Sequence, residues 1–370
     1  MGNFTLDSLE IRQFRVFQRL KIERLRRVNL IVGKNNVGKT CLLEALWLYA
    51  RQGAQSLIWD LLEARGESSL PSQRGEPATR EAVVRHLFHG RRDMREPIPP
   101  ITIGPSGNHS ATLSLTLGWY TLLVANGRRE FRPLSPQDYG TAERPMLGMA
   151  IRMGFEPEMI EWLHQPENDL LSDLSPRSEP SGAPCIFLPA GGLNLRRIGQ
   201  LWDSVALTDL EDDVLSSLHL IAPEVQRINL IAAQGALPGR IPVVSLAGAA
   251  SPVSLGSLGE GMNRLFGIAL ALVNAKGGLL LVDEIESGLH YSVQPDLWRL
   301  VFRMAHRLDV QVFATSHSWD CVASFQQAAQ EDTHEQGQLI RLQKHGEAID
   351  VTLFDEHELA IATREQIEVR

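Results

Sequence analysis

The segment Gly33-Lys34-Asn35-Asn36-Val37-Gly38-Lys39-Thr40 constrains the fold of this 370-residue chain more than any other feature. It follows the short apolar run Val28–Val32 and precedes Thr40–Arg51, where apolar residues recur at helical spacing. A buried strand, a glycine-rich turn and a helix therefore succeed one another. Such a turn lets successive backbone N–H groups converge, and the helix N-terminus adds its dipole, so the segment predicts an anion site.

The spacing of this segment matches GxxxxGK[ST], the loop that holds nucleotide phosphates. In that pattern Lys39 is expected to reach the β- and γ-phosphates, and Thr40 is expected to ligate Mg²⁺. The alternative is a chance glycine loop, which the flanking strand and helix disfavour. The other expected nucleotide contacts are Gly33, Asn35, Asn36, Val37, Gly38 and Cys41.

A strand that ends in two carboxylates is predicted far along the chain, where Asp283 and Glu284 follow the apolar run Leu279–Val282. Such a strand can deliver Asp283 to Mg²⁺ and let Glu284 polarise the attacking water. The alternative, a strand that ends in two solvated acids, loses weight once a phosphate loop is present. Asp283 lies 244 residues after Lys39, which predicts a large insertion between the two motifs.

Two further motifs surround this strand. Ser257-Leu258-Gly259-Glu260-Gly261 opens an apolar helix and predicts another anion site, with Ser257, Gly259, Glu260 and Gly261 as nucleotide contacts. Thr315-Ser316-His317-Ser318 follows the apolar run Val310–Ala314 and could place the His317 imidazole at the γ-phosphate. The alternative for each motif alone is an ordinary glycine-rich helix start or a loop histidine without a functional role. The order of the motifs along the chain favours the functional interpretation.

Composition narrows the class of protein. Hydrophobic residues make up 44% and charged residues 22% of the chain, which excludes a disordered polymer. Three cysteines cannot staple so long a chain, and the net charge of -8 disfavours a polybasic nucleic-acid binder. Residues 1–39 nevertheless carry nine Lys/Arg against three acids, so a local basic surface stays possible. Without a secretory signal or an apolar run of about 18 residues, we expect a cytoplasmic protein that makes no membrane contact.

This ordered set of motifs resembles the ABC-type ATPase heads of the SMC/RecF/OLD group, and within it the OLD-like AAA_15/AAA_21 ATPases. Gly33–Thr40 is similar to the group's GxNNxGKT Walker A loop, and Ser257–Gly261 looks like its signature motif. Asp283 and Glu284 match its Walker B aspartate and catalytic glutamate. Ser287-Gly288-Leu289-His290 lies where the D-loop lies, with His290 in place of the usual aspartate, and His317 matches the switch histidine. Phe14–Phe17 is similar to the group's F-R-x-F stretch, which assigns Arg15 to the nucleotide.

The resemblance implies an ATPase that uses ATP and Mg²⁺, with Lys39, Glu284 and His317 catalytic and with Thr40 and Asp283 as metal ligands. Two chains would dimerise head to tail around ATP and gate a separate effector chain (a nuclease or toxin) or DNA, in bacterial anti-phage defence. The first alternative is a RecF-like DNA-repair ATPase. The second is the nucleotide-binding subunit of a membrane transporter, which the divergent signature disfavours.

The resemblance also implies the fold class: an α/β P-loop NTPase head with a mostly parallel central sheet, an antiparallel β subdomain and a helical insertion. We expect the head in residues 1–63 and 236–370, a β-rich lobe with loops in 64–195, and a helical subdomain in 196–235. Asn126-Gly127 predicts a hairpin turn within the β-rich lobe. Gln338–Leu342 and Ala348–Leu353 predict a closing hairpin.

The remaining expectations concern the partners of the chain. OLD nucleases carry a Toprim domain after the ATPase, whereas only about 50 residues follow His317, so nuclease activity is expected from another chain. Asp355-Glu356-His357-Glu358 is interpreted as a solvated acidic turn rather than a metal cluster. Candidate DNA contacts, with solvent-facing charge as the alternative, are Arg12, Arg15, Arg19, Arg85, Arg91, Arg92 and Arg95.

Overall fold

A computed structural model describes residues 5–67, 79–91, 98–125, 128–134, 145–156, 159–163, 182–233, 239–332 and 337–365. Its strands are β1 (Leu9–Phe14), β2 (Phe17–Ile22), β3 (Val28–Val32), β4 (Ile101–Gly104), β5 (Leu113–Ala125), β6 (Arg128–Pro133), β7 (Met146–Met153), β8 (Met159–Trp162), β9 (Cys185–Leu188), β10 (Val225–Ala232), β11 (Arg240–Leu246), β12 (Val253–Ser254), β13 (Leu279–Val282), β14 (Gln311–Thr315), β15 (Gly337–His345) and β16 (Ala348–Phe354). Its helices are α1 (Lys39–Ala50), α2 (Gln55–Ala64), α3 (Arg80–Val84), α4 (Leu195–Asp203), α5 (Asp209–Leu218), α6 (Glu260–Asn274), α7 (Gln294–Leu308), α8 (Trp319–Glu331) and α9 (Glu356–Arg364). The expected mixed α/β architecture is therefore confirmed.

A six-stranded sheet carries the motifs, in the order β16-β15-β3-β14-β13-β9. Strands β15, β3, β14, β13 and β9 pair in parallel, and β16 pairs with β15 in the antiparallel sense. Strands β3, β13 and β14 are buried along their whole length, as expected for continuous apolar runs covered on both faces. Because these three strands are parallel neighbours, the loops that follow them meet at one edge of the sheet.

The sheet separates two hydrophobic cores. On β13, Leu280 and Val282 face the core that contains most of α6 and α7, whereas Leu279 and Leu281 face the core that contains α1. This alternation is the two-residue period of a strand, with both faces apolar. The second core continues into the seven-stranded antiparallel sheet β2-β1-β4-β5-β7-β8, in which β6 pairs with β5.

The pairings cross the boundaries of the four-part division expected from the sequence, which itself stays a prediction. Strands β1 and β2, expected in the ATPase head, belong to the same sheet as β4 to β8 of the β-rich lobe. Strand β10, expected in the helical subdomain, pairs with β11. Hydrogen bonding between distant segments decides which sheet each strand joins.

Most local expectations hold. The strands at Val28–Val32 and Leu279–Val282 have the bounds that their apolar runs predicted, and β15 and β16 form the closing hairpin. Helices α4 and α5 lie close together in the sequence and stay separate, because the side chain of Thr208 caps the start of α5. Asn126-Gly127 lies outside the described residues, and the flanking strands β5 and β6 pair in the antiparallel sense.

The expected acidic turn at Asp355–Glu358 is wrong in its structure, because it begins helix α9. Asp355 Oδ1 accepts from the backbone N–H of Glu358 at 2.9 Å, and Glu358 Oε2 accepts from the backbone N–H of Asp355 at 3.0 Å. This reciprocal pair is a capping box, in which acids satisfy the first N–H groups of a helix. Within the described ranges, no group of three or more His, Cys, Asp or Glu residues is arranged to hold a metal ion.

Candidate active site

The loop Gly33–Thr40 joins β3 to α1 and approaches neighbouring segments closely at its two glycines. Gly38 adopts a φ of 106° and precedes a helix start that no side chain caps. A Cβ atom on Gly38 would lie 2.8 Å from Val16 Cγ2, and one on Gly33 would lie 2.4 Å from the carbonyl oxygen of Leu342. Both contacts are too short, so these glycines are required for the close approach of neighbouring segments.

Lys39 curls over this loop. Its ammonium Nζ donates to the carbonyl oxygens of Gly33 at 2.6 Å and Lys34 at 3.2 Å. Burial lowers the pKa of Lys39, and the nearby carboxylates of Asp283, Glu284 and Glu286 partly offset this effect. The Lys39 ammonium therefore lies between two backbone carbonyl oxygens of the loop and these three carboxylates.

Thr40 and Asp283 come together although 243 residues separate them. Thr40 Oγ1 donates to Asp283 Oδ2 at 3.0 Å, and Thr315 Oγ1, at the end of β14, donates to Asp283 Oδ1 at 2.6 Å. Thr315 Oγ1 also accepts from the backbone N–H of Glu284 at 2.8 Å. A hydroxyl and a carboxylate at this spacing are the oxygen ligands that Mg²⁺ prefers, so the side chains present fit the expected ion.

Glu284 and His317 lie beside this pair, at the ends of β13 and β14. Glu284 adopts a φ of 49°, a left-handed conformation that is uncommon for a glutamate. His317 Nδ1 lies 3.8 Å from Glu284 Oε1, and both side chains are partly exposed. The structure thus brings Lys39, Thr40, Asp283, Glu284 and His317 to one edge of the six-stranded sheet.

Arg264, on α6, is a residue of this site that the sequence motifs did not reveal. Its buried guanidinium donates to the carbonyl oxygens of Asp283 at 2.6 Å and Glu284 at 2.8 Å, and to those of Pro189 at 2.8 Å and Ala190 at 3.4 Å. Burial lowers its pKa to about 10. Arg264 therefore ties the end of β9 to the end of β13. The sequence feature that could have revealed it is a single arginine directly before the apolar run Leu265–Val273.

Glu286 is the second residue that the motifs did not reveal. It is 8% exposed, and its Oε1 accepts from Ser316 Oγ at 2.7 Å and from the backbone N–H of His317 at 3.1 Å. The available signal was a third acid two positions after Glu284, on a segment that returns to the core at Ile285. A buried carboxylate needs such donors because its charge has lost the surrounding water.

The signature-like segment Ser257–Gly261 lies on the surface. Ser257, Gly259 and Glu260 are exposed, and Ser257 Oγ donates to the carbonyl oxygen of Ser254 at 2.6 Å. A Cβ atom on Gly261 would lie 3.1 Å from the carbonyl oxygen of Gly288, so this segment adjoins the D-loop-like segment Ser287–His290. Within the part of the chain that the structure describes, no hydrogen bond joins Ser257–Gly261 to Gly33–Thr40.

The assignment of Arg15 to the nucleotide or to DNA needs correction. Arg15 Nε lies 2.7 Å from Glu44 Oε2, and its Nη1 donates to Glu67 Oε2 at 3.0 Å. All three side chains are at least nine-tenths buried. The guanidinium thus connects the β1–β2 hairpin to α1 and faces buried acids rather than a ligand. Cys41, also expected at the nucleotide, is buried, and its Sγ accepts from Arg65 Nη2 at 3.3 Å.

The other candidate DNA contacts differ in their surroundings. Arg12 and Arg19 are exposed and both pair with Glu10 Oε1, at 2.8 and 2.9 Å. Arg85 and Arg91 are exposed. The two remaining candidates, Arg92 and Arg95, lie outside the described residues.

Two family models match parts of this chain. The model described as "AAA ATPase domain" matches residues 5–67, and the model described as "AAA domain, putative AbiEii toxin, Type IV TA system" matches residues 245–320. The first region holds the Gly33–Thr40 loop, and the second holds the signature-like segment, Asp283, Glu284 and His317.

This chain is also similar to named proteins and to solved structures. An "ATP/GTP phosphatase" of Helicobacter pylori is 22% identical over 357 residues, which cover 88% of this chain and 89% of that protein. "Uncharacterized protein MJECL10" of Methanocaldococcus jannaschii is 40% identical over 60 residues, 16% of this chain and 27% of that protein. An SMC head bound to the C-winged helix domain of ScpA has a TM-score of 0.50 at 12% identity, over 95% of this chain and 98% of that chain.

The family models, the phosphatase relative and the SMC-head fold confirm that this chain is similar to SMC/RecF/OLD-like ABC-type ATPases. Among the described residues, no helix is long and apolar enough to cross a membrane.

Proposed function

We propose that this chain binds ATP with Mg²⁺ between the Gly33–Thr40 loop and Asp283 and hydrolyses it to ADP and phosphate. The observation that carries the proposal is the 3.0 Å contact between Thr40 Oγ1 and Asp283 Oδ2, with Lys39 over the same loop. The parallel pairing of β3 with β14, and of β14 with β13, supports reading the six-stranded sheet as a P-loop NTPase core.

Each side chain has a role that its position supports. Thr40 and Asp283 would hold Mg²⁺, which when bound neutralises phosphate charge. Lys39 would exchange its backbone carbonyl partners for phosphate oxygens, and the uncapped start of α1 would add backbone N–H donors. Glu284 would accept a proton from the attacking water, with the His317 imidazole oriented beside the γ-phosphate.

We further propose that two copies close head to tail around the nucleotide. The exposed Ser257–Gly261 segment supports this, because the start of α6 can offer backbone N–H donors to an anion and, among the described residues, no hydrogen bond joins it to Gly33–Thr40 of its own chain. Ser257 and Gly259 of one copy would then face Gly33–Thr40 of the other. A partner that binds only the dimer would then bind in the ATP state and dissociate after hydrolysis.

Two variants and one control test these statements. Lys39→Ala is expected to abolish ATP binding, measured by titration calorimetry. Glu284→Gln is expected to keep binding, to lower kcat by about 10²–10⁴-fold, and to accumulate an ATP-dependent dimer in light scattering. Glu347→Gln changes an exposed glutamate in the β15–β16 turn and should match the wild type. ATP hydrolysis by Glu284→Gln at the wild-type rate would show that the assigned base is wrong.

The gated target is proposed from the comparisons. The description of the matched AAA family includes a toxin and a type IV TA system, which supports an effector chain controlled by ATP in bacterial anti-phage defence. We expect a nuclease or toxin chain to co-purify with ATP-locked Glu284→Gln and to leave when ADP replaces ATP. Loss of phage protection in the Lys39→Ala strain would support the defence role, and unchanged plaque counts would contradict it.

A RecF-like DNA-binding role is the second candidate, favoured by the exposed Arg12, Arg19, Arg85 and Arg91. It predicts that the ATP-bound dimer prefers gapped DNA and that affinity falls steeply as salt rises. Replacing Arg85 and Arg91 by glutamine should flatten that salt dependence. Equal binding to gapped and intact duplexes would exclude this role.

A further inference from the structure

Glu286 holds a position that the roles proposed above do not use. It lies in the segment after Glu284, yet its carboxylate turns into the protein and is 8% exposed. Burying an ionised carboxylate is costly unless donors or a positive charge compensate it. Among the ion pairs of the described residues, its one partner is the His317 imidazole, with Nδ1 3.5 Å from Glu286 Oε1.

The contacts of Glu286 converge on one short segment, Ser316-His317. Its Oε1 accepts from the side chain of Ser316 at 2.7 Å and from the backbone N–H of His317 at 3.1 Å. The same oxygen is the nearest carboxylate atom to the imidazole. One buried atom thus holds the peptide and faces the ring of the same histidine.

The imidazole of His317 lies between two carboxylates of different exposure. Glu284 is 42% exposed, and its Oε1 lies 3.8 Å from His317 Nδ1, whereas Glu286 is 8% exposed, and its Oε1 lies 3.5 Å from the same nitrogen. A buried carboxylate beside a ring nitrogen can set the orientation of a histidine, while a partly exposed carboxylate is available for chemistry. The arrangement separates the positioning group from the reacting group.

The charge of Glu286 also affects the pKa values of other nearby groups. It opposes the burial that lowers the pKa values of Lys39 and Arg264. Burial raises the pKa of the Cys321 thiol, and Glu286 adds to this effect. Glu286 therefore lies within electrostatic reach of Lys39 in the phosphate loop, Arg264 in α6 and Cys321 in α8.

We propose that Glu286 is a positioning residue that fixes the His317 imidazole beside Glu284 for hydrolysis. This inference rests on the proposed ATPase function. Because Glu286 acts through His317, its loss should affect turnover rather than nucleotide binding. A displacement of about 1 Å at a reacting group can cost about 100-fold in rate.

The first measurement is steady-state ATP hydrolysis by Glu286→Gln, which keeps an oxygen acceptor and loses the charge, and by Glu286→Leu, which loses both. We expect kcat to fall by about 10-fold for the glutamine variant and about 100-fold for the leucine variant, with the ATP dissociation constant within about threefold of wild type. Unchanged kcat in Glu286→Gln, or loss of ATP binding in step with kcat, would overturn the proposal.

A double-mutant cycle with His317→Ala separates positioning from general structure. If Glu286 acts through His317, Glu286→Gln should cost less than about twofold in kcat in the His317→Ala background, since coupled residues are not additive. Full additivity would contradict the proposal. Matching urea-unfolding midpoints for wild type and Glu286→Gln would exclude a folding defect as the cause.

The imidazole signals in an NMR spectrum give a readout that does not need ATP hydrolysis. The His317 signal is assigned by its disappearance in His317→Ala and should shift in Glu286→Gln, whereas Glu347→Gln should leave it in place. An unmoved signal would overturn the positioning role. A wild type that binds no ATP would instead refute the proposed function, and the NMR comparison would still decide whether Glu286 holds His317.

Discussion

Arg15→Met is the most informative perturbation of the fold, because it removes the centre of a buried charge network. Arg15 is 4% exposed and joins Glu44, at 6%, and Glu67, at 10%. Glu44 keeps a second partner, since Arg65 Nε lies 2.7 Å from its Oε1. Among the described residues Arg15 is the one ion-pair partner of Glu67, so the substitution removes the compensation of that buried charge.

The size of the effect follows from this asymmetry. Breaking a buried ion pair by removing one partner costs about 3–5 kcal/mol of unfolding free energy. Replacing the whole pair by apolar side chains of similar volume is close to neutral, so Arg15→Met combined with Glu67→Leu should recover most of the loss. Arg12→Met, in the same hairpin, removes a side chain that is 51% exposed and should cost about 0–1 kcal/mol.

The assay is urea unfolding followed by the fluorescence of the seven tryptophans. A loss below about 1 kcal/mol in Arg15→Met, or no recovery in the double variant, would refute the network as a source of stability. The defect should also depend on pH. Burial raises the pKa of Glu44 above its usual 4.5, and Arg15 opposes this effect, so its removal adds a cost of ionisation that is absent below that pH and grows as pH rises. We therefore expect a smaller Arg15→Met defect at pH 4 than at pH 7.

Three further predictions concern other parts of the chain. Thr315→Val removes a hydroxyl that bonds a carboxylate and should cost about 1.5–3 kcal/mol in urea unfolding, together with most ATPase activity; a silent variant would contradict this. Gly38→Ala should abolish ATP binding because its Cβ overlaps neighbouring side chains, whereas Gly277→Ala, also at positive φ but with no atom within 4 Å, should bind normally. Hydrogen bonds from Arg299 lower the pKa of Glu331 to about 2, so stability from this pair is present above 4.5 and lost as pH falls, and Arg299→Leu should return the NMR-measured pKa towards 4.5.

The parts of the fold that the sequence predicted are those governed by local pattern. The bounds of β3 and β13 follow from short, mostly apolar runs, because a strand that is buried on both faces favours apolar residues along its length. The start of α1 follows from glycine spacing, and the closing hairpin follows from two strands that adjoin in sequence.

The errors arose where a local pattern had two structural solutions. An acidic run at Asp355–Glu358 suits both a solvated turn and a helix N-terminus, and the reciprocal capping bonds selected the helix. Arg15 matched a motif position by order along the chain, but its burial against two glutamates depends on where α1 and the residue at 67 lie in space. Motif order alone carries no information about burial.

The sequence by itself determined which chemical groups this protein has and where each turn can form, since glycine spacing, apolar runs and helix caps act between near neighbours. Only the tertiary structure decided which groups meet. The parallel order β3-β14-β13 brings Thr40 to Asp283 across 243 residues, and burial turns Glu286 and Arg264 towards the same edge. These meetings depend on strand pairing and core packing between distant segments, whose free energies no local window of sequence contains.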